Sequence, residues 1–141
     1  MAPEVTTYKI IGYAAPELPR EDLRSMIFSD WMKSLRYGND WFELIDTACY
    51  YNAYEKLIHH FLDKNECTVR LAVLSDEPDT CLGWSLFEAD RLHYIYVKEA
   101  FRRMGIGRSV LPAGFIEVTH LTKLGQAMRK SVFPNVIFNP F

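Results

Sequence analysis

Residues 91–111 constrain the fold of this chain more tightly than any other stretch. Residues 91–97 (RLHYIYV) alternate along a β-rich run and so predict a strand. Four residues later comes Arg102-x-x-Gly105-x-Gly107, and Ile106, Arg108, Val110 and Leu111 then open a helix. Two glycines and an arginine at this spacing arise by chance about once in ten chains of this length, so the glycines alone decide little. Strand, glycine loop and helix in direct succession decide more. Glycines let a backbone approach a ligand closely, and the unpaired N–H groups at a helix start point at anions. Arg102, Arg103 and Arg108 add positive charge there. A nucleoside-triphosphate loop would end in Lys-Ser/Thr, and a dinucleotide loop would carry a third glycine after an early strand. Neither pattern is present, which leaves the pyrophosphate of some other cofactor.

The elements around this segment fix its setting. Residues 8–14 (YKIIGYA) predict a first strand ending in the Pro-containing turn 15–19. Pro19 suits a helix start, with Glu21 and Asp22 in its first turn; Leu23, Met26, Ile27, Trp31 and Leu35 recur at helical spacing before Gly38. Asn39 or Asp40 can cap a second, long helix, kinked or broken, whose stripe runs Trp41, Leu44, Ile45, Ala48, Tyr51, Leu57, Ile58, Phe61, Leu62 towards Lys64. Residues 68–74 and 81–88 then read as a hairpin around Pro78. Residues 115–121 fit either a helix tail or a strand, 122–130 a short helix, and 135–141 a closing strand. This order predicts a single α/β domain: a mixed, mostly antiparallel sheet flanked by helices, with one late parallel crossover.

Bulk properties exclude several function classes. A chain of 141 residues supports one core, and 49% hydrophobic with 24% charged residues is ordinary for a globular domain. A net charge of −2 provides no field for a polyanion, which argues against nucleic-acid binding. No run of 18 apolar residues and no leader pattern occurs, so the reading is a cytoplasmic protein with no membrane partner. Cys49, Cys67 and Cys81 are odd in number and lack metal-ligand spacing, which predicts reduced thiols and no metal. His59 and His60 are adjacent on a helix, point apart and read as a solvated face. The many aromatics of the first half serve as core or pocket wall.

Residues 92–107 (LHYIYVKEAFRRMGIG) resemble the acetyl-CoA signature of the GNAT N-acetyltransferases: a strand, Val, a short connection and Q/R-x-x-G-x-G/A. The match is close over residues 91–112 and holds in outline for the preceding elements. The resemblance implies the GNAT fold, acetyl-CoA as co-substrate, and transfer of its acetyl group to a primary amine of a small molecule or protein. It further implies that the edge of Ile95, Tyr96 and Val97 pairs with pantetheine. Arg102, Arg103, Met104, Gly105, Ile106, Gly107 and Arg108 then surround the pyrophosphate, mostly through backbone N–H groups.

The chemistry needs three further roles. A lysine-like amine with pKa near 10.4 costs about 4.6 kcal/mol to neutralise at pH 7, so a base is required. The thioester oxyanion needs a donor, such as a strand N–H near Ile95 or Tyr96, and the leaving thiolate needs a proton. In strict alternation Arg91, His93, Ile95 and Val97 share one face of the strand, and Leu92, Tyr94 and Tyr96 the other. His93 is the base candidate, matching an acceptor-site histidine of the similar arylalkylamine N-acetyltransferases, and Glu88 or Asp90 at the preceding turn can replace the acidic base of other members. The plainer reading of His93 is a hydrogen-bonded strand histidine. Many family members place a tyrosine late in the chain as acid, but here no tyrosine follows Tyr96. His120, beside Thr119 and Thr122, is the substitute; a cap or turn cluster is its plainer reading. The short C-terminal part implies an acceptor pocket that is open or completed by a homodimer or other protein partner. Two other functions fit the sequence: a GNAT-like module without catalysis that binds proteins, and group transfer to a nucleic-acid base, since the tail 139–141 resembles small phage-encoded members.

Overall fold

The computed structural model describes residues 7–12 and 20–140, with the side chain of Arg20 excepted. The turn expected at 15–19, the helix start at Pro19, the last two residues of the first strand and Phe141 lie outside these.

Six strands form one sheet in chain order: β1 (Tyr8–Gly12), β2 (Cys67–Leu74), β3 (Cys81–Glu88), β4 (Arg91–Val97), β5 (Glu117–Val118) and β6 (Ile137–Phe138). The first four pair antiparallel, as adjacent hairpin strands do; β4–β5 and β5–β6 are parallel. The sheet is therefore mixed and mostly antiparallel, but with two parallel pairs instead of the one expected. The second arises because α5 (Lys123–Val132) also acts as a crossover, returning the chain to β6.

Three helices precede β2. In α1 (Arg20–Tyr37), Leu23, Ile27, Trp31 and Leu35 are buried at the predicted spacing, and Gly38 N–H bonds Ser34 O at 2.8 Å to close the helix. The long helix is broken into α2 (Asp40–Glu43) and α3 (Thr47–Asp63). The cause is a second cap: Asp46 accepts from the N–H groups of Ala48 and Cys49, as Asn39 does from Trp41. The expected stripe fails at its start, where Trp41 and Leu44 are 63% and 84% exposed, and at Tyr51, which is exposed while its neighbour Tyr50 is buried; Ile58, Phe61 and Leu62 are its buried members. His59 is not merely solvated, since its Nδ1 lies 3.0 Å from Arg24 Nη1 and its ring stacks on Phe28.

The main core lies between α1, α3 and one sheet face, around Trp31, Trp84, Leu86 and Tyr94. On the opposite face α4 (Ile106–Val110) packs Ile106 and Val110 on Ala72 and Leu82. A third cluster, Phe87, Leu92, Val118 and Val136, gathers beneath α5 with Leu121 and Phe133 against it. Cys81 is buried, Cys67 half-buried and Cys49 exposed, all as free thiols. Among the described residues no helix is long and apolar enough to cross a membrane.

Candidate active site

The sheet parts between β4 and β5. Strand β5 pairs with β4 only at Arg91 and Leu92, and Thr119 N–H to Leu92 O at 2.9 Å ends the contact. Beyond it, Lys98 N–H bonds Leu82 O on β3, and strand polar groups alternate in direction. The backbone groups of Ile95 and Val97 therefore face the gap, while those of Tyr96 face β3. Val97 O accepts from Arg102 Nε at 3.0 Å, which ties the following loop to this edge.

A 3-10 turn, Glu99–Phe101, leads into the glycine loop. Gly105 (φ 81) caps α4, and Arg103 (φ 66) shares the left-handed conformation that glycine tolerates and other residues resist. The first bond of α4 is Ser109 N–H to Gly105 O at 3.1 Å, so the N–H groups of Ile106, Gly107 and Arg108 precede any intrahelical acceptor. Arg102, Arg103, Met104 and Arg108 are exposed around them. Two contacts hold the loop close to the sheet. Tyr8 and Ser109 share a 2.9 Å hydroxyl bond, and Gly83 lies so near α4 that a Cβ there would stand 2.9 Å from Tyr96 O and 3.2 Å from Ile106 Cγ2.

Strict alternation of β4 does not hold. A β-bulge opposite Leu86 and Phe87 leaves His93 as the extra residue, so His93 joins Tyr94 on the α1/α3 face and Leu92 joins Ile95 on the other. This corrects the predicted faces: His93 stacks on Phe61 (centroids 4.1 Å apart) and is 2% exposed. Its Nε2 lies 3.3 Å from Glu88 Oε2, and its Nδ1 lies 3.0 Å from Thr119 Oγ1, itself 2.9 Å from His120 Nδ1. Glu88, His93 and His120 thus join one chain of hydrogen bonds through Thr119, buried at its His93–Thr119 link. The polarity follows from its ends. Hydrogen bonds from Lys64 Nζ (3.1 Å to both carboxylate oxygens) and His93 lower the Glu88 pKa, so Glu88 accepts from His93 Nε2–H. Thr119, whose one proton lies between His93 Nδ1 at 3.0 Å and His93 O at 3.4 Å, then accepts from His120 Nδ1–H, leaving the lone pair of His120 on Nε2. Burial pushes the pKa of His93 down and that of His120 down to about 4. The His120 ring stands edge-on to Trp31 and Tyr54.

At the open end of the gap lies a cleft of about 750 Å³ between α1, the β4 end and the start of α5, lined by Asp30, Lys33, Ser34, Tyr37, Tyr96 and Thr122 among others. Lys123 N–H to Gly38 O at 2.8 Å fixes its rim. Asp30 Oδ2 accepts from Trp84 Nε1 at 3.0 Å, and burial raises its pKa. Among the described residues no cation lies within ion-pair distance of this carboxylate. An apolar crevice of about 40 Å³ beneath α5 is too small for an organic substrate. Asp30 escaped the sequence reading, and Thr119 entered it only as a neighbour of His120. The available signals were a tryptophan in an otherwise apolar strand, whose N–H needs an acceptor, and the polar row 30, 33, 34, 37 beside the buried stripe of α1.

No family model matches the sequence, and no curated protein matches it. Solved structures do resemble the fold. An assigned acetyl transferase from Pyrococcus furiosus aligns over 74% of this chain and 69% of its own, with a TM-score of 0.52 and 18% identity. The GCN5-related glucosamine N-acetyltransferase region of a fungal multi-domain GH3 β-N-acetylglucosaminidase aligns over 76% of this chain with a TM-score of 0.50 and 14% identity; the match spans 12% of that longer chain. AAC(6')-Iy, in complex with the bisubstrate analog CoA-S-monomethyl-acetylneamine, aligns over 95% of this chain and 92% of its own, with a TM-score of 0.48 and 13% identity. The six-stranded mixed sheet flanked by helices is the fold of the GNAT acetyltransferases.

Proposed function

We propose that the chain is an acetyl-CoA-dependent N-acetyltransferase acting on a primary amine. The observation that carries this reading is the parted β4–β5 edge set beside the glycine loop. The edge of Ile95 and Val97 offers backbone partners to an extended pantetheine arm, and the N–H groups at residues 103–108 offer partners to a pyrophosphate. Arg102 holds the loop through Val97 O and must yield that carbonyl where the arm pairs. Ile95 N–H, facing the gap, is the donor for the thioester oxyanion.

The amine enters by the cleft, where Asp30 holds its ammonium form. The ammonium loses its first proton to solvent. His120 Nε2, given its lone pair by Glu88, His93 and Thr119 and with its pKa pushed down to about 4, accepts the second once attack has made the nitrogen acidic, so His93 and Glu88 are positioning residues. Tyr96 lines the cleft, and burial raises its pKa, so its hydroxyl remains protonated as the acid for the leaving thiolate. The acceptor amine then attacks the thioester carbon, its nitrogen passes a proton to His120, Tyr96 protonates the departing sulfur as the tetrahedral intermediate collapses, and coenzyme A leaves as the thiol; His120 and Tyr96 then exchange protons with solvent. Isothermal titration with acetyl-CoA tests the first half, followed by thiol release over a panel of amines. Absence of binding at millimolar ligand refutes the reading. Binding without thiol release for any amine favours the non-catalytic module.

A further inference from the structure

The first residue of β2, the last of β3 and the bulge of β4 bring together Cys67, Glu88 and His93. One donor atom from each lies within 4.8 Å of the other two. Glu88 Oε2 stands 3.3 Å from His93 Nε2 and 3.9 Å from Cys67 Sγ. Donors bound at ~2.0 Å (N, O) and ~2.3 Å (S) around a tetrahedral zinc ion stand about 3.3 Å (N to O) and about 3.5 Å (S to O) apart. The nitrogen and oxygen already have that spacing, and the sulfur, 3.9 Å from the oxygen and within 4.8 Å of the nitrogen, must close on both. All three residues sit on paired strands, and His93 is clamped between Phe61 and Thr119. A second ring nitrogen fixed by a hydroxyl is the outer hydrogen bond that orients metal-binding imidazoles. One sulfur, one imidazole and one carboxylate suit zinc-class ions over calcium or magnesium, with water completing the shell. The ammonium of Lys64, 3.1 Å from both Glu88 oxygens on a flexible stem, is the cation that now satisfies this carboxylate.

We infer that Cys67, Glu88 and His93 form a binding site for a divalent zinc-class ion, for which Lys64 is the built-in competitor. Binding releases the Cys67 thiol proton to solvent, and Lys64 swings out still protonated. The consequence for activity rests on the acetyl-transfer reading. A metal on His93 Nε2 expels that proton and places one on Nδ1, drawn from Thr119. Thr119 is reprotonated from His120 Nδ1, and His120 takes a solvent proton at Nε2. The lone pair that serves the amine moves to the wrong nitrogen of His120, so the ion inhibits transfer and leaves the cofactor edge intact.

Cobalt titration of the full, chelator-treated chain tests the site without reference to activity. The expected result is one thiolate-to-cobalt charge-transfer band per chain, retained in Cys49→Ser and lost in Cys67→Ser and Glu88→Gln. Lys64→Ala binds at least about fivefold tighter, the worth of one unit charge at ~4 Å in water. No band at millimolar cobalt in either the unaltered chain or Lys64→Ala overturns the site, as does a band undiminished in Cys67→Ser. For the regulatory part, zinc lowers kcat with acetyl-CoA affinity unchanged, and Cys67→Ser keeps its activity but loses zinc sensitivity. A chain that binds cobalt yet turns over equally fast with zinc overturns the inhibition. If no amine is acetylated at all, the acetyl-transfer reading fails, and the cobalt spectrum still decides the site.

Discussion

Replacing Gly83 with alanine tests the mechanical coupling between the sheet and the glycine loop. The added Cβ would stand 2.9 Å from Tyr96 O, 3.1 Å from Val97 Cγ2 and 3.2 Å from Ile106 Cγ2. Two of these belong to β4 and the third to the first residue of α4, which is 1% exposed and has no free space to yield into. A backbone oxygen cannot rotate away as a side chain can, so β3 and β4 must part or α4 must lift. Overpacking of this kind costs ~1–3 kcal/mol. At ~3 °C per kcal/mol for a chain of this size, Tm falls by ~3–9 °C. If the strain is relieved by lifting α4, it returns when the cofactor pulls the loop back, and coenzyme A affinity drops by about 5- to 150-fold. Urea unfolding measures the first quantity, and calorimetric titration well below Tm the second. Leu23→Ala is the control: it empties a buried site between α1 and α3, costs ~2–5 kcal/mol, and leaves the affinity of the folded chain unchanged. A Gly83→Ala chain with unaltered stability and affinity would refute the close packing of α4 on β3. Lost stability with unchanged affinity would refute the coupling.

Further outcomes follow from other parts of the site. Thr119→Val removes the hydroxyl between His93 and His120 and leaves buried ring nitrogens without a partner; it lowers stability by ~1–3 kcal/mol and reduces kcat with the acetyl-CoA KM unchanged, while Thr119→Ser restores both. Gly105→Ala forces a Cβ into φ 81, which costs ~1–2 kcal/mol and weakens coenzyme A binding; thermal melts and titration read both. Asp30→Asn keeps an acceptor for Trp84 Nε1. The folded-state pKa of Asp30 is raised above 3.8, so the stability it contributes is present below pH 3.8 and lost as pH rises through the folded value. The variant is therefore more stable than the parent at pH 7, the difference vanishes below pH 3.8 in urea titrations, and its KM for cationic amines rises.

Local chemistry determined the elements of this protein, and chain-distant packing determined their alignment. Alternation in residues 91–97, the glycines at 105 and 107 and the apolar spacing of α1 each depend on neighbours a few residues away, so strand, loop and helix were legible from sequence. The break at Asp46 was local too, but a cap in mid-helix competes with a continuous apolar stripe, and the sequence left kink and break undistinguished. What the sequence could not determine was the bulge at His93. It depends on the register of β4 against β3, and one extra residue turns the side chain to the other face. Only that turn puts His93 beside Glu88 and Cys67, residues 5 and 26 positions away in the chain, and in line with Thr119 and His120. No metal-ligand spacing marked this group in the sequence, because motifs record local spacing whereas ligand sets form wherever strands align. The cleft carboxylate of Asp30 was hidden for the same reason: a polar residue on a helix reveals its role only when the tryptophan and the opened strands that meet it are in place.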